Sequence, residues 1–160
     1  MGMTIHFTAA TPEELDKGKQ DPEWVEDFIE GLWGDGEFST PDRPCGGPDK
    51  AWAGLEYLLG QADDVGLEFL MDGDMLLENG TLFAWPPEQV ASLAQRLRAL
   101  PWEQLAVHFD PEKMLAENIY PRVWDCEGEL EWLKGSYEEV VTFFTEAAEG
   151  GYGAFMEFSF

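Results

Sequence analysis

The chain predicts one α+β domain in which a small antiparallel sheet, holding both the first and the last strand, is packed with several amphipathic helices. Three observations carry that expectation. Residues 3–8, 81–85 and 153–160 read as short alternating or β-rich runs, and period-two alternation marks a strand. Stripes with helical spacing fill most of what lies between. The 160 residues suit a single domain spanning 1–160, and folding at that size buries roughly 70% of the unfolded chain's surface.

The elements follow in order. Met3, Ile5 and Phe7 alternate with Thr4, His6 and Thr8 in a half-buried strand. Thr11-Pro12-Glu13-Glu14 supplies a capping hydroxyl, a first-turn proline and a glutamate three residues after the cap, the signature of a helix start. Asp21-Pro22 opens a second helix, striped by Trp24, Val25, Phe28, Ile29 and Leu32. Residues 34–48 are dense in glycine and proline and read as a long loop, a class that is usually functional or mobile. Helix resumes at Asp49-Lys50-Ala51-Trp52 and stops at Gly60. The segment 65–77 fits either a short helix or a buried strand. Thr81–Trp85 leads into a helix from Pro87 to about Leu100, then shorter helices around Trp102 and after Asp110-Pro111. A long helix follows over about 129–149, with Leu130, Leu133, Tyr137, Val140, Val141 and Phe144 on one face. Gly150-Gly151 ends it before the last strand.

Charge narrows the functional classes. Thirty-three Asp and Glu against nine Lys and Arg give a net charge of −24. A field of that sign repels phosphate, so nucleic acid and anionic membrane surfaces are not the expected partners. It attracts cations and basic proteins. The bland alternative is that the acids serve solubility, since they are spread along the whole chain.

Transition-metal chemistry has little to build on. His6 and His108 are the two histidines, each alone in its segment, and Cys45 and Cys126 are 81 positions apart. No CxxC or His-rich spacing links them. Asp63-Asp64 and Asp72-Gly73-Asp74 cluster oxygen ligands but do not fit a calcium-loop pattern. No nucleophile elbow or phosphate loop occurs, and no cofactor is expected. The N-terminal run does not read as a secretory signal, and no apolar stretch reaches transmembrane length. A cytoplasmic location with reduced thiols is the expectation.

Several phrases carry a family resemblance. They are the opening strand with Thr11-Pro12-Glu13-Glu14-Leu15, Asp49-Lys50-Ala51-Trp52 with Leu58-Leu59, and Pro87-Glu88-Gln89-Val90. To these add Asp110-Pro111 with Met114, Ile119-Tyr120-Pro121 with Trp124-Asp125, and Ala147-Ala148-Glu149-Gly150. In this order they resemble the YfbM-like proteins, a bacterial domain of unknown function (DUF1877). The resemblance spans essentially the whole chain and implies an α+β fold, with no activity or catalytic residues attached. It would also place histidines where this chain has Ala53 and Glu56. Any chemistry resting on them is lost here, unless they serve packing alone.

One surface combines aromatic bodies with scarce cations: Asp49, Lys50 and Trp52 with Tyr120, Arg122, Trp124 and Asp125. Such mixtures recur at interaction sites, although large aromatics more often lie in the core. Two functions follow. The first is a non-catalytic interaction protein whose acidic surface engages a basic partner, as an immunity protein engages a toxin. The second is a small-ligand binder or enzyme whose pocket is formed by the 34–48 loop with the 49–52 and 120–125 segments. Oligomeric state is not legible.

Overall fold

The alternating run near the N-terminus becomes a strand with a neighbour on each side. The structure, a computed structural model, describes residues 2–34, 41–62 and 67–160. Its elements run β1 (Thr4–Ala10), α1 (Pro12–Gln20), α2 (Pro22–Trp33), β2 (Cys45–Asp49), α3 (Trp52–Ala62), α4 (Phe69–Asp72) and β3 (Asp74–Met75). They continue with β4 (Leu82–Trp85), α5 (Pro87–Arg98), α6 (Trp102–Ala106), α7 (Pro111–Ala116), α8 (Glu129–Glu149) and β5 (Gly153–Ser159). The strand order is β2-β1-β5-β4-β3, and every neighbouring pair is antiparallel. The first and last strands pair from Thr4↔Ser159 to Ala10↔Gly153, and β4 joins β5 on its other side. The expected α+β sheet is observed.

Helices cover both faces of that sheet, unequally. On one face Ile5, Phe7, Phe83, Trp85 and Met156 meet the apolar sides of α3, α5 and α8. Phe7 is the hub, with ring centroids 5.4 Å from Trp85, 5.3 Å from Phe143 and 5.2 Å from Phe144. The other face is thinner: Ala10, Leu82, Ala84 and Phe155 receive Leu15 of α1 and Val25 and Ile29 of α2. Trp24 and Phe28 pack there only half-buried. Because both faces are covered, β1 is not the half-buried strand its alternation suggested; Thr8 is as fully enclosed as Phe7.

The start signals act as read at two helices. Thr11 Oγ1 accepts from Glu14 N–H at 3.2 Å, and the Glu14 carboxylate accepts from Thr11 N–H at 2.8 Å. Asp110 accepts from Lys113 N–H at 3.2 Å. Elsewhere the expectations need correction. The expected 34–48 loop contains β2, an edge strand spelled Cys-Gly-Gly-Pro-Asp. Glycine and proline are poor strand formers, but an edge tolerates them. Gly47 is also required there, since a Cβ would stand 2.8 Å from the Ile5 carbonyl oxygen. Asp49 therefore ends a strand, in a left-handed conformation (φ 52°), and helix begins only at Trp52. Gly60 does not stop α3, which continues to Ala62. The ambiguous segment resolves into both a short helix, α4, and a short strand, β3. Residues 35–40 of the loop, together with Asp63 and Asp64, lie outside the described residues.

Candidate functional site

Two carboxyls of the thinner face have opposite surroundings. Glu14 has a partner: Arg43 donates to it at 2.6 Å and to the Ala9 carbonyl at 3.2 Å. Burial alone would raise the Glu14 carboxyl, but the Arg43 guanidinium and the Thr11 N–H outweigh it and hold the group below its ordinary value. Glu157 has no such relief. It lies mid-strand on β5, on the face it shares with Phe155, and α2 crosses above. Burial pushes its carboxyl up, and Glu26 and Glu30, one helical turn apart on α2, push it further. Among the described residues the ion pairs are Lys19–Asp74, Arg43–Glu14 and Arg43–Asp42, so no cation reaches it. His6 stands directly across in the β1–β5 register. Burial depresses its imidazole, with Asp49 opposing, so at neutral pH it offers no countercharge.

Glu157 opens onto a groove of about 600 Å³ between the first turns of α2 and the ends of β4 and β5. Glu23 and Glu26 form the α2 side, Leu77 and Leu82 the apolar side, and Phe158 and Phe160 flank the mouth. Phe160 is 74% exposed. The groove sets carboxylates beside an apolar wall. Sequence reasoning missed it, although one signal existed: Glu157 interrupts a β-forming aromatic run at an inward-facing step.

The surface predicted from sequence separates into three parts. Lys50, Trp52 and Tyr120 gather around the start of β1. Tyr120 Oη accepts from Met3 N–H at 2.8 Å, and Trp52 Nε1 donates to the Met3 carbonyl at 3.3 Å. The two rings stack at 6.2 Å, and Lys50 and Tyr120 both crowd Gly2. This arrangement clamps the entry to β1. Trp124 belongs to the core instead, 1% exposed, donating to the Ile119 carbonyl at 2.8 Å and stacking on Trp132 at 6.0 Å. Asp49, Arg122 and Asp125 are exposed, with Arg122 in a left-handed turn (φ 69°).

A second carboxyl sits in a smaller cavity. Glu56 on α3 accepts from Phe69 N–H at 2.5 Å, at the start of α4. Burial, opposed by that bond and helped by Glu68 and Asp72, pushes Glu56 up to about 7. It lines about 340 Å³ with Ala53, Tyr57 and Ile119. Among the described residues no three His, Cys, Asp or Glu come together to hold a metal ion, and no helix is long and apolar enough to cross a membrane. The cysteines are free, with burial and Glu139 raising the Cys45 thiol.

Residues 1–156 match the family model described as "Domain of unknown function (DUF1877)". The chain belongs to the DUF1877 family. A solved structure similar to it is described as a protein of unknown function, YfbM from Escherichia coli. The two share 18% identity over 98% of this chain and 99% of that one, with a TM-score of 0.68. At that identity the likeness establishes a common fold. No curated protein matches the chain. In this DUF1877 member the two positions where the resemblance would place histidines, Ala53 and Glu56, line one cavity together.

Proposed function

We propose that this DUF1877 protein is a non-catalytic interaction protein of the bacterial cytoplasm whose acidic surface engages a basic protein, in the manner of an immunity protein. The observation that carries the reading is the groove beside Glu157, where a half-buried carboxyl faces the exposed Glu26 and Glu30 of α2 and, among the described residues, pairs with no cation. Like-charged carboxylates in a partly desolvated site repel, and folding gains nothing from placing them together. A basic partner would relieve that repulsion on binding. The total charge of −24 would steer its approach from a distance.

Binding to purified basic proteins of the native host tests the reading. The association rate should fall at least about tenfold as ionic strength rises from about 0.02 M to 0.3 M, since screening shortens the reach of steering. Absence of any binding at low salt would leave the acids as a solubility device. A second reading, a small-ligand binder, draws on the Glu56 cavity, where a carboxyl titrating near neutrality meets Tyr57. Retention of a small molecule by the wild type and its loss in Glu56→Gln would favour that reading.

A further inference from the structure

We infer that the groove between α2 and the ends of β4 and β5 is a slot for an arginine side chain presented by the basic partner. The inference rests on the proposed function and names the chemistry its site would select. The walls divide the occupant into two parts. Leu77 and Leu82 offer an apolar strip to a side-chain stem, and long cationic side chains bury their methylenes along such strips while the head seeks polar groups. The head would meet Glu157 at the base and Glu26 and Glu23 on the helix.

Three features favour guanidinium over other cations. First, these acids are divided between two elements, α2 and β5, and among the described residues no three His, Cys, Asp or Glu are gathered tightly enough to hold a metal ion. A planar head with five donors can serve spread acceptors, whereas a compact ammonium or metal ion cannot. Second, Phe160 stands exposed at the mouth, its ring 5.5 Å from Phe158, and guanidinium stacks on aromatic faces. Third, guanidinium is more weakly hydrated than ammonium, so entry into a half-buried groove costs it less. A second copy of the chain is a poor occupant, because it brings another −24 of charge.

The test uses the full chain with two labelled, end-blocked peptides, one alternating Arg with Ala and one alternating Lys with Ala, titrated at low salt. The Arg peptide should bind about tenfold more tightly, the difference that one well-placed charge-assisted bond supplies. Glu157→Gln should cut Arg-peptide affinity at least about fivefold by removing one charged acceptor. Glu112→Gln, an exposed change on α7, should leave that affinity unaltered. Phe160→Ser should narrow the Arg-over-Lys preference. The Gln variant relieves a repulsion, so it should fold; an unchanged circular dichroism spectrum verifies that. Equal affinity for the two peptides, or full binding by Glu157→Gln, overturns the slot, while salt-sensitive binding of basic proteins would still uphold the broader reading. Calcium displacing the Arg peptide at equal concentration would also overturn the slot. Failure of every basic probe to bind at low salt brings down both.

Discussion

The two faces of the sheet are built to different standards. One is a deep aromatic core, where Phe7 meets four large rings and residues of α3, α5 and α8 pack around it. The other is a thin layer under α1 and α2, interrupted by His6, Thr8 and Glu157 along strands that could have been wholly apolar. The faces also treat their carboxyls differently. Glu56, on the deep side, has a backbone donor that fixes its place and ties α3 to α4. Glu157, on the thin side, faces Glu26 and Glu30, and among the described residues no cation pairs with it. The deep face holds the fold together. Both faces hold a carboxyl that burial and neighbouring acids raise, Glu56 with a backbone donor beside it and Glu157 without one.

The largest expected effect tests that division directly. Phe7→Ala should destabilise by about 3–5 kcal/mol, the range for deleting a buried aromatic in a core that cannot collapse around the void. Phe28→Ala, on the half-buried layer, should cost about 1–2 kcal/mol, because much of that ring already meets solvent. Chemical denaturation of both variants measures the contrast. Equal losses would show that the thin face bears as much of the fold as the deep one.

A smaller effect comes from Glu56, and its sign can be worked out. The carboxyl is raised in the folded state to about 7 from an ordinary 4.5. Below pH 4.5 both states are protonated there and the group contributes nothing. Between about 4.5 and 7 the unfolded chain releases its proton first, so stability falls as pH rises. Glu56→Gln keeps an acceptor for Phe69 N–H and removes the charge. Discounted for partial solvent screening, it should add about 1–2 kcal/mol at pH 8 and almost nothing at pH 4. Thermal melts across that range check it; a constant difference at all pH values would place the gain elsewhere than in titration.

What could be read beforehand follows the same division. Capping boxes and helical stripes act over a few residues, so Thr11, Asp110 and the α8 face were visible in sequence order. Alternation revealed β1 and β5, which pair with each other, and β4 joins the sheet through β5. β2 stayed hidden because an edge strand of glycine and proline carries no strand signal of its own; it forms through its approach to Ile5 and Phe7. The candidate site was hidden for a related reason. Trp52 and Tyr120 look like binding groups in sequence, yet they spend their polar atoms on Met3. Glu23, Glu26 and Glu157 look like ordinary acids until α2 is laid across the sheet. Separation along the chain, here more than 125 positions, leaves no local pattern to read.

The smallest expected effect sharpens the comparison most, because it asks whether the acids of the thin face act together. Burial and the α2 acids raise the Glu157 carboxyl, so its ionisation opposes folding as pH rises above the ordinary glutamate range. Glu157→Gln should therefore raise the melting temperature by a few degrees or less at pH 7.5, with no gain at pH 4, where the wild-type group is already largely protonated. Added salt should produce a similar modest gain in the wild type by screening the net −24 charge. The two effects overlap if repulsion around Glu157 is a leading part of what salt screens. Melts of wild type, Glu157→Gln and Glu26→Gln at about 0.02 M and 0.5 M salt, roughly the range over which the Debye length shrinks several-fold, separate the cases. A salt response reduced in both variants means the groove holds a concentrated repulsion, available to be relieved by a bound cation. An undiminished response means the charge acts evenly over the whole surface, and the thin face then has no special claim on a basic partner.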